Sequence, residues 1–486
     1  MRKFWSRAAA TAVAVLLCTT LGCGTAATES VAPTGAVGSG NGAAPQAIDL
    51  LVFGGTVVTM NQNRDVLPNG AIAVDDSVII DIGAAADLAN RYSAGRTLRP
   101  GPRDIVIPGL VNGHGHAAMT LLRGVADDMR LMDWLENYIF PAEAALADAD
   151  FVRAGTALAA LEMIRGGTTT FVDMYYYEDD VAWVVRDAGL RGVLGETLLD
   201  MPTPDAATFD EALAYTEQFL QNWVDHPRIT AAVAPHAPFT NSPETLRRAA
   251  ELARRYNAPL LIHLAETRDE VQQIRSQYSL SPVQFLDSLG FLGPDVLAAH
   301  SIWVDGADIA TLATRGVGTV HNPESNMKLA SGTMPVAALR DAGVAVGLGT
   351  DGAASNNDLD MFGAMLTAAL LHKHMNEDPT AMPAVEVVAM ATIEGARALR
   401  MDDAIGSLEV GKRADLVIVD GGAANLVPRY DPYSHLAYAA RAGDVRTTVV
   451  DGRILFDAGA FTTLDADAVI AAARAAAARV REVVGQ

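Results

Sequence analysis

The sequence predicts an α/β protein: a parallel (β/α)8 barrel of the TIM type, with a small β-sandwich split between the N- and C-terminal segments. Three observations point there. Eight short apolar runs alternate with alanine-rich helical stretches between Ile105 and Leu348, the rhythm of a parallel sheet whose crossovers are helices. β-rich runs without intervening helices flank that region on both sides. Histidines and acids gather where the apolar runs end, which in a barrel is the face that carries chemistry.

The elements follow in chain order. Arg2, Lys3 and Arg7 precede an apolar run over residues 8–17, too short to span a bilayer, and small residues come after it. Residues 1–22 therefore read as a secretory signal. Its end, Thr20-Leu21-Gly22-Cys23, resembles a bacterial lipobox, so Cys23 is expected to carry lipid and anchor an exported lipoprotein. Residues 23–46 are Gly, Ala, Thr and Ser with few large apolar side chains, a flexible tether. Residues 47–106 form the first part of the sandwich, with strands expected at 51–60 and 72–82 and a turn signal at Pro68-Asn69-Gly70. The barrel occupies 107–404; its strands are expected at 105–111, 169–172, 192–194, 229–234, 259–262, 296–299, 317–320 and 344–347. Strand patterns return within 405–463, at 415–419 and 445–456, and fold most simply onto the N-terminal strands. Residues 464–486 close the chain as an alanine-rich helix.

Composition narrows the function. A hydrophobic fraction of 50% against 19% charged residues fits a packed globular protein. The net charge of −22 repels phosphate backbones and anionic headgroups, so nucleic acid is not an expected partner and the lipid anchor is the only expected membrane contact. A homo-oligomer is compatible with the sequence but not specified by it. Cys18 and Cys23 are the only cysteines, which leaves the body without a disulfide, a thiolate metal site or a cysteine nucleophile.

The chemistry lies in the run ends. The first run leads into Asn112-Gly113-His114-Gly115-His116; in extended backbone, residues two apart share a face, so both imidazoles can reach one ion. His372 and His374 have the same spacing inside a helical pattern, where such side chains diverge, and read as packing or surface residues. The fifth run ends in His263-Leu264-Ala265-Glu266, and a buried strand does not end in a histidine and an acid without partners for them. His263 suits a third ligand and Glu266 a proton shuttle. The sixth ends at His300, and the eighth in Gly349-Thr350-Asp351-Gly352. His114, His116, His263 and Asp351 make a nitrogen and oxygen donor set for one divalent cation, zinc, with iron(II) as the alternative. The fourth run ends Val233-Ala234-Pro235-His236 without a lysine, which argues against a two-metal site bridged by a carbamylated lysine. A bound cation lowers the pKa of water towards about 7; Asp351 and His300 are placed to orient and deprotonate that water, and Glu266 to protonate a ring nitrogen and then the departing ammonia.

These blocks, together with Pro108-Gly109-Leu110-Val111, Met119-Thr120-Leu121-Leu122-Arg123-Gly124, His321-Asn322-Pro323-Glu324-Ser325-Asn326-Met327-Lys328-Leu329 and Ala353-Ala354-Ser355-Asn356-Asn357, resemble the amidohydrolase superfamily, most of all its S-adenosylhomocysteine/5′-methylthioadenosine deaminases. The likeness runs from about Ile48 to Phe456. It implies a barrel with a split sandwich, the four ligands named above, catalytic Glu266 and His300, a ribose contact from Glu143, and nucleoside contacts from His236 and Ser355. Residue chemistry alone would make Glu143 a solvated helix residue, and Trp134 either a pocket wall or a buried aromatic. His226 and His435 have no such partners and read as structural. Glu196 stands near the end of the third run, where relatives that bind an amino-acid tail carry arginine; a carboxylate there would repel that tail, favouring 5′-methylthioadenosine or adenosine over S-adenosylhomocysteine. The rival readings are a related amidohydrolase acting on a free nucleobase, pterin or triazine, and a non-catalytic exported binding lipoprotein.

Overall fold

In the computed structural model, eight parallel strands order themselves by sequence into one sheet: β1 (Leu110–Asn112), β2 (Thr168–Tyr175), β3 (Arg191–Leu198), β4 (Ile229–Pro235), β5 (Leu260–Leu264), β6 (Val296–His300), β7 (Gly318–His321) and β8 (Val346–Leu348). The Gly113 N–H donates to Leu348 O at 2.8 Å and brings the last strand back to the first. The expected (β/α)8 barrel is therefore present. The structure describes residues 44–485; the expected signal, Cys23 and residues 24–43 of the tether lie outside them. Among the described residues no helix is long and apolar enough to cross a membrane.

Alternation sorts the barrel strands into two faces. Val172, Met174, Val193, Ala232, Ala234, Leu261, Leu297 and Val320 fill the interior, while Phe171, Leu194, Leu198, Val233, Leu260 and Ile262 meet the surrounding helices in the main core. Both faces are buried, as a parallel sheet requires. The helices start on local signals: Asp148, Thr208, Ser242 and Thr267 each accept a backbone N–H at a helix N-terminus, contacts worth about 1 kcal/mol each.

Two sheets pack face to face beside the barrel. One has four strands in the order Val78–Ala84, Gly70–Asp75, Gln46–Phe53, Tyr92–Leu98. The other has seven and joins the two ends of the chain, because Leu416–Val419 pairs antiparallel with Ile105–Pro108. Leu50, Val52, Ile72, Ile79, Val106, Leu416 and Val449 fill the space between the sheets. Each expected N-terminal strand turns out to be a pair: 51–60 breaks at Gly54 and Gly55, and 72–82 folds back at Asp76 and Ser77, which have φ of 47° and 68°.

The run at 105–111 also divides. Ile105–Pro108 belongs to the sandwich and only Leu110–Asn112 to the barrel. Gly109 lies between them, where a Cβ would stand 2.0 Å from Thr169 Oγ1. Only glycine fits that approach. After β1 the chain makes a long excursion through short helical turns at Ala117–Leu122, Leu131–Trp134, Leu135–Ile139 and Phe140–Leu146 before the first long helix, Ala149–Gly166.

Candidate metal centre and nucleoside cavity

The C-terminal strand ends are tied to one another through the residues that flank the candidate ligands. Asn112 Nδ2 donates to Thr350 Oγ1 at 2.8 Å, and Asn112 Oδ1 accepts the Thr350 N–H at 3.0 Å. The Asp351 N–H donates to His114 O at 3.0 Å. These links bring the residues after β1 and β8 together. His116 Nε2 lies 3.2 Å and His114 Nε2 3.5 Å from Asp351 Oδ1, and His263 Nε2 lies 3.4 Å from His116 Nε2. Four side chains separated by more than two hundred residues thus converge on one point. His300, from β6, lies within the same cluster, grouped with His114 and His263, and its Nε2 is 3.9 Å from both Asp351 Oδ2 and Glu266 Oε2.

The hydrogen bonds behind these rings decide which nitrogen faces inward. His116 Nδ1–H donates to Met174 O at 2.6 Å and His263 Nδ1–H to His236 O at 2.7 Å, so each presents an Nε2 lone pair to the centre. His114 Nε2 is fully buried and has no hydrogen-bond partner. Asp351 Oδ2 accepts from Ser325 Oγ at 2.6 Å and Oδ1 from the Gly352 N–H at 2.7 Å. Lone pairs aimed at each other across 3.4 Å, beside an orphaned imidazole nitrogen and a carboxylate, form a cradle that fits a divalent cation. Strand-end backbone follows suit: Asp351 and His300 have φ of 64° and 70°, a conformation that costs of order 1–3 kcal/mol and persists where surroundings impose it.

Electrostatics separates the imidazoles. Burial lowers His114 to about 4 despite the pull of Asp351, lowers His236 to about 3 and sets His263 well below its usual range. For His116 burial acts in the same direction, but the Asp351 carboxylate, the Met174 carbonyl and Asp173 outweigh it and raise it to about 9. Asp351 stays ionised against burial because His114 and His116 hold its charge. The Asp351 carboxylate thus calls for positive charge at the Nε2 cluster, which a divalent cation would supply in place of a proton on His116, freeing its Nε2 lone pair.

A cleft partly open to solvent lies over this centre. Among its lining residues are His116, His236, His263, Glu266, His300, Asp351, Ser355, Trp134 and Glu143; His114 lies beneath it, 1% exposed. The excursion after β1 supplies an apolar wall of Leu131, Trp134, Leu135, Ile139 and Phe140. It also buries Glu143 to 5% exposure, so this acid is not the solvated residue its local sequence suggests. Burial, opposed by the Tyr175 hydroxyl and His116, pushes Glu143 up to about 7. His236 packs on His263 with ring centroids 4.8 Å apart, and its Nδ1 is 3.1 Å from Thr240 Oγ1. Ser355 Oγ donates to Gly352 O at 3.1 Å.

Glu196 requires a correction. On β3 its neighbour Thr197 lines the cavity, and strand alternation sends Glu196 to the opposite, outer face. There its Oε2 accepts the Glu178 N–H at 2.9 Å. Burial first, then Asp205 and Glu178, raises its pKa well above the usual range. It presents no negative charge to a substrate, and the expected repulsion of an amino-acid tail does not arise. The other histidines keep the roles their context gives them. His372 and His374 lie on the helix Met361–Met375; His372 is buried with its Nε2 3.2 Å from His321 Nε2, and His374 is exposed. His226 Nδ1 accepts the Ile229 N–H at 3.0 Å, and His435 bonds Asp431 O and Pro428 O.

Several supporting residues have no role in a reading of the sequence alone. Asn326 Oδ1 accepts from His300 Nδ1–H at 2.8 Å, which leaves His300 Nε2 facing the cavity. Ser325 orients Asp351, and Ser331 Oγ donates to Glu266 Oε1 at 3.3 Å. All three follow β7, and their position just past a barrel strand was the available signal.

Known proteins resemble this chain over most of its length. The amidohydrolase family profile matches residues 105–455. A 5-methylthioadenosine/S-adenosylhomocysteine deaminase of Syntrophobacter fumaroxidans is 50% identical over 422 residues, covering 87% of this chain and 96% of the relative. A 5′-deoxyadenosine deaminase of Methanosarcina barkeri is 45% identical over 431 residues, covering 88% and 98%. The crystal structure of an adenosine deaminase from Xanthomonas campestris with bound zinc superposes with a TM-score of 0.88 at 42% identity, over 90% of this chain and all of that one. With its barrel, its strand-end histidines and aspartate, and a profile match across most of its length, the chain belongs to the amidohydrolase family.

Proposed function

We propose that the protein is a metal-dependent deaminase of adenine nucleosides, replacing the ring amino group by oxygen from water and releasing ammonia. The observation that carries this reading is the convergence of His114, His116, His263 and Asp351 at the floor of a cavity whose lining also includes the buried acid Glu143. These four would hold one divalent cation, zinc by the donor set and by likeness to the zinc-bound relative. Bound there, the cation supplies Lewis acidity, bringing the pKa of a coordinated water towards about 7.

The chain's own groups do the rest. His300, with Nδ1–H committed to Asn326, offers Nε2 as the base that takes a proton from water, and Asp351, whose Oδ2 is 3.9 Å from that Nε2, orients the water. Burial raises the Glu266 pKa, with His300 and Ser331 opposing and Asp351 adding to the effect, which suits this acid to carrying a proton. It delivers a proton to a ring nitrogen as the water oxygen adds to the amino-bearing carbon; the proton left on that oxygen then passes through Glu266 to the amino group, which departs as ammonia, and His300 returns the first water proton to Glu266. Glu143 receives the ribose hydroxyls, with His236 and Ser355 against the nucleoside and Trp134 in the wall. No arginine or lysine is among the residues lining the cavity, which favours uncharged 5′ substituents: 5′-methylthioadenosine, 5′-deoxyadenosine or adenosine ahead of S-adenosylhomocysteine. An exported location on a lipid anchor is part of the same proposal, supported by the signal-like pattern of residues 1–22 and the lipobox-like run ending at Cys23.

The test is a substrate panel on metal-replete protein, followed by the ultraviolet shift from adenine to hypoxanthine. Turnover of the adenine nucleosides, abolished by chelation, is expected. Ammonia release from guanine or cytosine with none from any adenine nucleoside would overturn the assignment.

A further inference from the structure

Glu266 stands on a turn whose backbone is held from two sides. Ala265 before it has φ of 50°, the left-handed region. The carbonyls of this turn accept from the strand-end segment after β6: the Ser301 N–H donates to Leu264 O at 2.9 Å, and the Ile302 and Trp303 N–H groups both donate to Ala265 O at 3.1 and 2.9 Å. The amides are held by a single side chain. Glu270 Oε1 accepts the Ala265 N–H at 2.8 Å and Oε2 the Glu266 N–H at 2.7 Å.

This grip is not an ordinary helix cap. Glu270 is the third residue of the helix Arg268–Tyr278, after the cap Thr267, whose Oγ1 accepts the Glu270 N–H at 3.2 Å. An acid at that place usually turns back to the N–H of the cap residue itself. Here it passes Thr267 by and takes the two amides before it. It does so at 4% exposure, where a carboxylate is costly unless hydrogen-bonded.

We propose that Glu270 is a positioning residue for the reaction: its carboxylate locks the backbone of Ala265 and Glu266, so that the Glu266 side chain faces His300 with one oxygen while Ser331 steadies the other. This rests on the reading of Glu266 as the proton shuttle. A shuttle acid must meet its proton acceptor to within a fraction of an ångström, and a displacement of about 1 Å costs on the order of a hundredfold in rate. Glu270→Gln keeps the shape but sets an NH2 group against one of the two N–H donors, which frees that half of the turn.

Five variants test this on the full-length, metal-loaded protein with 5′-methylthioadenosine. Glu270→Gln is expected to lower kcat by roughly tenfold or more, with KM and metal content within about twofold of wild type. Glu270→Asp, which is too short to span both amides, should show a similar kcat loss and serves if the Gln variant does not fold. Thr267→Ala removes the cap of the same helix without touching either amide; it should lower Tm but leave kcat within about twofold. In a Glu266→Gln background, adding Glu270→Gln should change the residual kcat no further, since the group it positions has been neutralised. Wild-type kcat in both Glu270 variants, an equal kcat loss in Thr267→Ala, or an undiminished Glu270→Gln effect in the Glu266→Gln background would each overturn the proposal. Wild-type kcat in Glu266→Gln alone would instead refute Glu266 as the shuttle, and the positioning role with it.

Discussion

Replacing Glu143 by glutamine should make the protein more stable at neutral pH and a worse enzyme for nucleosides, because the acid is kept where it is costly. In the folded protein burial raises its pKa from 4.5 to about 7, which is worth about 3 kcal/mol. Below pH 4.5 the carboxyl is protonated whether the chain is folded or not, and the shift has no effect on stability. Between pH 4.5 and 7 the unfolded chain releases the proton while the folded one retains it, so stability falls as pH rises; above about pH 7 the full cost is present. Glutamine carries no such cost. At an unfolding entropy of about 2.1 cal/mol/K per residue, a domain of this size has ΔS near 0.9 kcal/mol/K, and 3 kcal/mol becomes roughly 3 °C in Tm. The assay is thermal unfolding of chelated wild type and Glu143→Gln from pH 4 to 8.5, paired with KM for adenosine on metal-replete protein. The Tm difference should be smallest near pH 4, grow through pH 7 and then level off, while KM for adenosine rises by about tenfold or more and activity on free adenine changes little. A Tm difference independent of pH would refute the electrostatic argument, and an unchanged KM would refute the ribose contact.

Other consequences are as open to measurement. Replacing His114 or Asp351 by alanine should drop metal from about one ion per chain to a small fraction by elemental analysis, with activity lost in parallel; retention of stoichiometric metal would show that the cradle is misassigned. Gly109→Ala puts a Cβ 2.0 Å from Thr169 Oγ1 and should cost about 3 kcal/mol or more, read as lost soluble yield or a lowered denaturation midpoint; pairing it with Thr169→Ala, which removes the clashing atoms, should restore part of that loss. Glu178, whose carboxyl is raised first by burial and then by Asp173, belongs to the buried acid group around Glu196; Glu178→Gln neutralises it and should flatten the loss of stability on going from pH 5 to 8. Cys23→Ala should abolish incorporation of labelled fatty acid and release the protein from membranes; unchanged membrane association would refute the anchor.

The sequence disclosed most where local pattern decides the outcome. His114 and His116 were legible as a pair, and His372 and His374 as a false one, because the same spacing converges in extended backbone and diverges on a helix. The order of barrel strands followed from apolar runs separated by helices. Glu143 was opaque to residue chemistry because its burial comes from the excursion folding over the strand ends, a tertiary event that leaves no local periodicity. Glu196 shows how a shift of one residue reverses a conclusion: Thr197 faces the cavity, so Glu196 cannot. The division at Gly109 was hidden within a continuous apolar run, since both neighbouring sheets demand the same residue types. Glu270 was unreadable for another reason: a third-position acid looks identical whether it caps its helix or reaches past the cap.

The join at Gly109 makes one short stretch answer to both halves of the molecule. Ile105–Pro108 is clasped in the sandwich between Thr56–Val58 and Leu416–Val419, one neighbour some fifty residues earlier and the other some three hundred later, and the ligand-bearing stretch begins only a few residues beyond it. A chain cut before residue 416 loses one side of that clasp, and should retain its ion less well than the full chain even with every ligand present.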